Sequence, residues 1–248
     1  MDGSTTDEDV AATTGNRVVL RHRISTRVWH WVNAIAVIVL LMSGLMISNA
    51  HPRLYWGQYG ANFDHAWLEL PRFPGWATIP SSYSLSGARR WHLAFAWIFA
   101  VGLLLYIATS LLNRHAQRDL APTKRELAPR AIWRDIVSHA RLQFPTGEDA
   151  LHYNVLQKLS YFGVLFVILP LLVLTGLTMS PAMGAAWPWL LEIFGGRPSA
   201  RSIHFICATA MALFIAVHLL MVLLAGPVEH IRSMITGRHR VHTPETEE

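Results

Sequence analysis

Residues 202–225, SIHFICATAMALFIAVHLLMVLLA, decide the fold. The run contains no Asp, Glu, Lys or Arg, and roughly 20 apolar residues in a helix cross a hydrocarbon core about 30 Å thick. Within it stand His204 and His218. At ~1.5 Å rise and ~100° per residue, their fourteen-residue spacing sets them ~21 Å apart on nearly one helical face. An ionisable side chain inside a membrane is costly and demands a partner or a purpose.

Working outward, three further runs of similar length and composition lie at 28–48, 91–112 and 159–179. Backbone groups in lipid must be satisfied within their own segment, and no alternating barrel pattern is present, so all four read as helices. Pro170 is positioned to kink the third. The whole chain fits this reading: 248 residues, 52% hydrophobic and only 15% charged, with mean hydropathy +0.29. The expectation is an all-α integral membrane protein, a four-transmembrane-helix bundle forming one domain over 1–248. Residues 131–141 and 186–194 combine apolar and polar faces and predict short interfacial helices. The ends, 1–16 and 241–248, read as polar tails, and the first apolar run reads as a retained anchor. No repeat stands out.

Lysine and arginine set the orientation. The N-terminal arm, the 114–158 connection and the C-terminal tail hold fifteen of the twenty-one, and the other two connections hold six. The positive-inside rule then places both termini in the cytoplasm and the 49–90 and 180–201 connections outside. The pI near 9.8 reports topology, not nucleic-acid binding. The 49–90 connection, with Pro52, Tyr55, Trp56, Tyr59, Pro71, Pro74, Trp76 and Pro80, has the composition of an ordered cap and a docking surface.

Four histidines carry the chemistry. His92 and His204 begin helices that enter from outside, whereas His30 enters from the cytoplasm and His218 lies deep toward that side. Two pairs result, His92 with His204 and His30 with His218, as two hexacoordinate haems stacked across the bilayer would require. Gly44, Gly102 and Ala208 are small enough to let a flat macrocycle approach. A zinc site would gather three or four ligands at one depth, and an ion translocator would add acidic or basic groups within its spans. Cys207 is the single cysteine, so no disulfide or cysteine-built cluster forms within the chain. The remaining histidines fall in connections or tails. His51 and His65 repeat the fourteen-residue spacing, but Pro52, Gly57 and Gly60 between them break any shared helix.

Arg27-Val28-Trp29-His30-Trp31-Val32-Asn33-Ala34, Arg90-Trp91-His92 and the His204/His218 pair resemble the ligand motifs of the dihaem cytochrome b subunits of bacterial respiratory oxidoreductases, within the cytochrome b561 superfamily. The chain is similar to formate dehydrogenase gamma subunits and thiosulfate reductase cytochrome b subunits over roughly 21–240. The resemblance implies two non-covalent haem b groups with His92 and His204 on the outer iron and His30 and His218 on the inner. It also implies a quinone site where Tyr153-Asn154-Val155-Leu156-Gln157-Lys158 matches the motif opening the third span, with Leu156 in place of glycine. Asn154 and Gln157 are the site residues it points to, and the competing role for Asn154 is a helix N-cap. Arg27, Arg89, Arg90 and Arg201 stand beside ligand-bearing helix ends, where guanidinium groups pair with haem propionates; their plain role is to mark span ends. Trp29, Trp31, Trp91 and Trp97 serve either haem faces or the interfacial aromatic belt.

The expected function is transmembrane electron transfer in a bacterial inner membrane. It links the quinone pool to a periplasmic redox partner, a molybdopterin or iron–sulfur subunit, with any enzyme activity confined to quinone redox chemistry. The alternatives are a free-standing cytochrome b resembling superoxide:quinone oxidoreductases, and a haem-free anchor or transporter.

Overall fold

The four apolar runs each become one long helical segment in a computed structural model of the chain. The structure describes residues 16–20, 24–61, 64–112, 123, 126–141 and 154–242. The helices extend beyond the apolar runs: α1 Ile24–Ala50, α2 Leu85–Leu112, the third span Val155–Met179, and α8 Arg197–Leu224. All four are long and apolar enough to cross a membrane. Each begins four to six residues before its apolar run. Short helices stand close to the two expected at 131–141 and 186–194, α3 at Pro129–Ala140 and α7 at Pro188–Ile193, and a further one, α6, occupies Pro181–Ala186.

The third span shows how its proline is accommodated. It runs as α4 Val155–Gly163, a π-helical turn Val164–Ile168 and α5 Leu169–Met179. Pro170 has no N–H, and its ring collides with a carbonyl one turn back; widening the preceding turn to π geometry relieves both conflicts.

The described residues belong to two compact units. The larger comprises the described residues within 29–121 and 159–217. All four spans contribute to its core: Ala36 and Val37 from α1, Phe99 and Leu103 from α2, Leu165 and Leu169 from the third span, and Met211 from α8. Lipid tails are as apolar as leucine, so such helices are held by close packing and buried hydrogen bonds. Accordingly its most deeply buried side chains are small or hydroxylic: Ser43, Thr175, Thr178, Ser202, Ala88 and Ala200. Large apolar side chains such as Ile35, Leu104 and Leu213 face outward, as lipid-facing surfaces require.

The outer connection is an ordered cap within the same unit. Ser202 Oγ donates to the Tyr55 carbonyl at 2.6 Å and accepts from Trp67 Nε1 at 2.9 Å. Asn49 grips both backbone groups of Phe73, at 3.0 and 2.7 Å. Trp56 stacks on Trp67 with ring centroids 5.5 Å apart.

The smaller unit comprises the described residues within 1–28, 122–158 and 218–248. In it β1 (Asn16–Leu20) pairs antiparallel with β2 (Arg238–His242), from Asn16 opposite His242 to Leu20 opposite Arg238. Asn16, Val241 and His242, assigned to the tails by sequence, therefore belong to a ribbon. Helix α9, Pro227–Thr236, is bounded by Gly226 at φ +101° and Gly237 at φ +81°, left-handed conformations that favour glycine at both ends of a short helix.

Candidate functional site

His92 on α2 and His204 on α8 meet inside the larger unit. Their ring centroids lie 6.2 Å apart with the planes at 59°. An iron between two imidazoles, with metal–nitrogen bonds of ~2 Å, sets the ring centroids roughly 6 Å apart. The residues present therefore fit an axial histidine pair. Among the described residues no group of three His, Cys, Asp or Glu side chains is placed to hold a metal ion.

Each ring is held from a neighbouring span by a hydroxyl. His92 Nδ1 lies 3.0 Å from Ser43 Oγ on α1, and His204 Nδ1 lies 2.9 Å from Thr175 Oγ1 on α5. Both hydroxyls also bond to carbonyls of their own helices, Ser43 to Val39 at 2.7 Å and Thr175 to Leu171 at 2.5 Å. Next to each hydroxyl stands a glycine. A Cβ at Gly44 would meet His92 Cε1 at 3.6 Å, and one at Gly176 would meet His204 Cε1 at the same distance. Gly44 thus borders a ligand ring, whereas Gly102, also expected to face a macrocycle, makes room for the Trp29 indole. That indole stacks on Tyr106 at 5.3 Å and 12°.

Sequence reasoning missed Ser43, Thr175 and Gly176, although the signal is present. Leu40-x-x-Ser43-Gly44-Leu45-x-x-Ser48 on α1 recurs as Leu172-x-x-Thr175-Gly176-Leu177-x-x-Ser180 on the third span. Ala88-Arg89-x-x-His92 on α2 recurs as Ala200-Arg201-x-x-His204 on α8. A short repeat therefore exists where none was expected. It is dispersed over two helix hairpins, so no contiguous period reveals it.

The arginine of the second motif lies one helical turn ahead of each ligand, on its face. His51, just after α1, lies near both of these arginines, and its imidazole is held below the usual value by burial, then by Arg201 and Arg89. Among the described residues neither arginine has an ion-pair partner. Arg90, two residues before His92, projects ~200° around the helix from it. Arg27 repeats the one-turn offset ahead of His30, and its buried Nε has no hydrogen-bond partner among the described residues.

His30 is half-buried on α1, edge-on to Trp31 at 5.2 Å. His218 is half-buried on α8, fourteen residues along the continuous helix from His204. In the smaller unit Asn154 and Gln157 form a capping box: Gln157 N–H donates to Asn154 Oδ1 at 3.1 Å, and Asn154 N–H donates to Gln157 Oε1 at 3.3 Å. The N-cap role raised for Asn154 is thus present. Asp135 Oδ2 accepts from Leu156 N–H at 2.8 Å, fixing α3 to the same helix start. Tyr153, the aromatic of that motif, lies outside the described residues.

A family model described as prokaryotic cytochrome b561 matches residues 21–237. The chain is similar to a putative protein-methionine-sulfoxide reductase subunit, YedZ1, of Azospira oryzae, 32% identical over 203 residues, 80% of this chain and 87% of that protein. It is also similar to a probable Ni/Fe-hydrogenase B-type cytochrome subunit of Cupriavidus necator, 25% identical over 251 residues, 97% of this chain and 90% of that one. The putative cytochrome YdhU of Escherichia coli is 28% identical over 91% of this chain and 76% of its own length.

Proposed function

The chain belongs to the prokaryotic cytochrome b561 family, and from that premise we propose that it carries two haem b groups and conducts electrons between membrane quinone and an oxidoreductase subunit at the outer face. The family makes it a multi-pass membrane cytochrome that binds haem b and transfers electrons. The number of haems, the quinone, the orientation and the partner are the proposal.

The observation that carries it is the His92–His204 pair, opposed at 6.2 Å with both Nδ1 atoms engaged. The two imidazoles would hold the iron of one haem b between them. Bound there, haem b supplies one-electron chemistry without an oxygen-binding site. His30 and His218 take the same role for the inner haem. Arg89 and Arg201 lie one turn from the outer ligands with positive charge for propionates to neutralise, Arg90 projects toward the far side of α2 from His92 and would meet a propionate only by reaching round the helix, and Arg27 serves at the inner end.

The quinone site is placed at the start of the third span. Asn154 and Gln157 direct their acceptor oxygens to the backbone, and a quinone carbonyl takes donors, which both amides also carry. With both termini cytoplasmic, this end faces inward. The partner is a periplasmic oxidoreductase subunit, a molybdopterin or iron–sulfur protein. Relatives named as subunits of a methionine-sulfoxide reductase and of hydrogenases support a catalytic partner, and the ordered aromatic cap gives it a surface.

Reduced-minus-oxidised pyridine haemochrome spectra of the detergent-purified chain test the reading. Two b haems per chain are expected; none after haem-replete expression would return the chain to a haem-free anchor.

A further inference from the structure

We propose that Ser43 and Thr175 are positioning residues that fix the Nδ1–H tautomer of His92 and His204 and thereby tune the redox potential of the outer haem. The inference rests on the assignment of those two histidines as haem ligands.

A hydroxyl has one proton to donate. The carbonyls of Val39 and Leu171, bonded to Ser43 and Thr175, can only accept, so the hydroxyl protons go to them. Toward the imidazole each oxygen must then accept, and the hydrogen must sit on Nδ1. The second carbonyl near each hydroxyl, Leu40 at 3.2 Å from Ser43 and Leu172 at 3.4 Å from Thr175, likewise draws the hydroxyl proton away from the ring. A neutral imidazole has one N–H, so Nε2 keeps its lone pair for the metal. Ser43 and Thr175 are completely buried, which removes water as a competitor for Nδ1. The adjoining Gly44 and Gly176 border the two rings, where an added Cβ would make an ordinary contact at 3.6 Å.

The device appears twice, on different spans, in the same short motif. A hydrogen bond donated from Nδ1 raises the basicity of the ligating nitrogen. A more basic ligand favours the oxidised iron and lowers the potential. The two hydroxyls therefore hold the outer haem at a lower potential than the same ligand pair would otherwise set.

The test uses the full haem-loaded chain in detergent, with redox titration and low-spin electron paramagnetic resonance on Ser43→Ala, Thr175→Val, Ser43→Thr and Thr175→Ser. The outer haem is identified in a His218→Ala background. Ser43→Ala and Thr175→Val are expected to raise the outer potential and shift its low-spin signal while the inner haem keeps its own. The two hydroxyl-retaining variants are expected to stay at the wild-type potential. An outer potential that is unmoved or lowered in both hydroxyl-free variants overturns the proposal, because the hydroxyls would then have no part in setting it. If the hydroxyl-free variants lose the outer haem, its retention in Ser43→Thr and Thr175→Ser supports the proposal and its loss there overturns it. A wild-type chain without haem at these histidines would sink the ligand assignment instead.

Discussion

The two helix hairpins, α1 with α2 and the third span with α8, agree at the end that carries His92 and His204 and diverge at the opposite end. At the first end each supplies a hydroxyl–glycine pair from its first helix and an Ala-Arg-x-x-His from its second. At the other end the positions have been shared out. Fourteen residues beyond His204 stands His218, but fourteen beyond His92 stands Tyr106. Thirteen residues before Ser43 stands His30, whereas thirteen before Thr175 stands Phe162, or Tyr161 once the extra residue of the π turn is counted. The outer pair thus draws one ligand from equivalent positions of the two hairpins. The proposed inner pair draws its ligands from inequivalent positions, and aromatics fill the places left over. A duplicated scaffold can hold one symmetric site and one asymmetric site, and only the symmetric one shows itself as a repeat.

Removing ligands breaks this comparison most severely. His92→Ala and His204→Ala are expected to abolish the same haem, and His30→Ala and His218→Ala the other, so each variant retains one haem of two by haemochrome stoichiometry. Redox titration should assign the surviving potential to the same centre within each pair. Loss of both haems from all four variants alike would mean that the two centres are not separable, and the distinction between symmetric and asymmetric sites would fall.

How much was legible in the sequence follows from the same division. Four spans could be read because lipid makes hydropathy nearly decisive, and the approach of His92 to His204 could be expected from depth because a long helix is a ruler. Ser43 and Thr175 were illegible because a hydroxyl in an apolar helix ordinarily bonds back to its own carbonyl, as these also do. Only the fold shows the imidazole on the other side. Gly102 was read as space for a macrocycle because sequence does not say which large neighbour claims a gap; Trp29 does. The N-cap alternative for Asn154 could be stated in advance, since an amide before a helical run has that local use whatever else it binds. The π turn ahead of Pro170 was missed because a proline marks a conflict without fixing its relief.

Gly102 sharpens the contrast in packing. Ten residues after His92 the first hairpin has Gly102 beneath Trp29, and ten after His204 the second has Phe214, edge-on to Tyr161 at 6.3 Å. Gly102→Ala drives a Cβ into an indole already stacked on Tyr106, and overpacking of this kind costs about 1–3 kcal/mol. A lowered thermal midpoint in detergent is expected; an unchanged one would show that Trp29 moves freely and that the first hairpin is not packed around it.

A smaller effect separates the two roles of Asn154, at the inner start of the second hairpin. Loss of an N-cap costs about 1 kcal/mol, so Asn154→Ala should lower the thermal midpoint slightly and weaken quinone-analogue binding. Asn154→Asp keeps a capping oxygen and removes the amide donor. If the residue donates to quinone, the aspartate variant binds the analogue more weakly at an unaltered midpoint. Wild-type affinity in the aspartate variant would leave Asn154 a cap alone.

The smallest expected effect lies at the same helix start, where Lys158 Nζ meets Glu126 Oε1 at 2.8 Å. Glu126 is held below the usual carboxylate value, first by the hydrogen bond from Lys158 and then by the Thr123 N–H. A depressed carboxyl stabilises the fold above its unfolded value, near pH 4.5, and that contribution is lost as pH falls through the folded value. Because the pair is partly exposed, Glu126→Gln should cost only about 0.5 kcal/mol at neutral pH. The difference from wild type should close on acidification and shrink in high salt. A difference that persists at low pH would mean that the side chain acts through packing, and the inner start of the second hairpin would then owe its order to the capping box and the Asp135 contact rather than to charge.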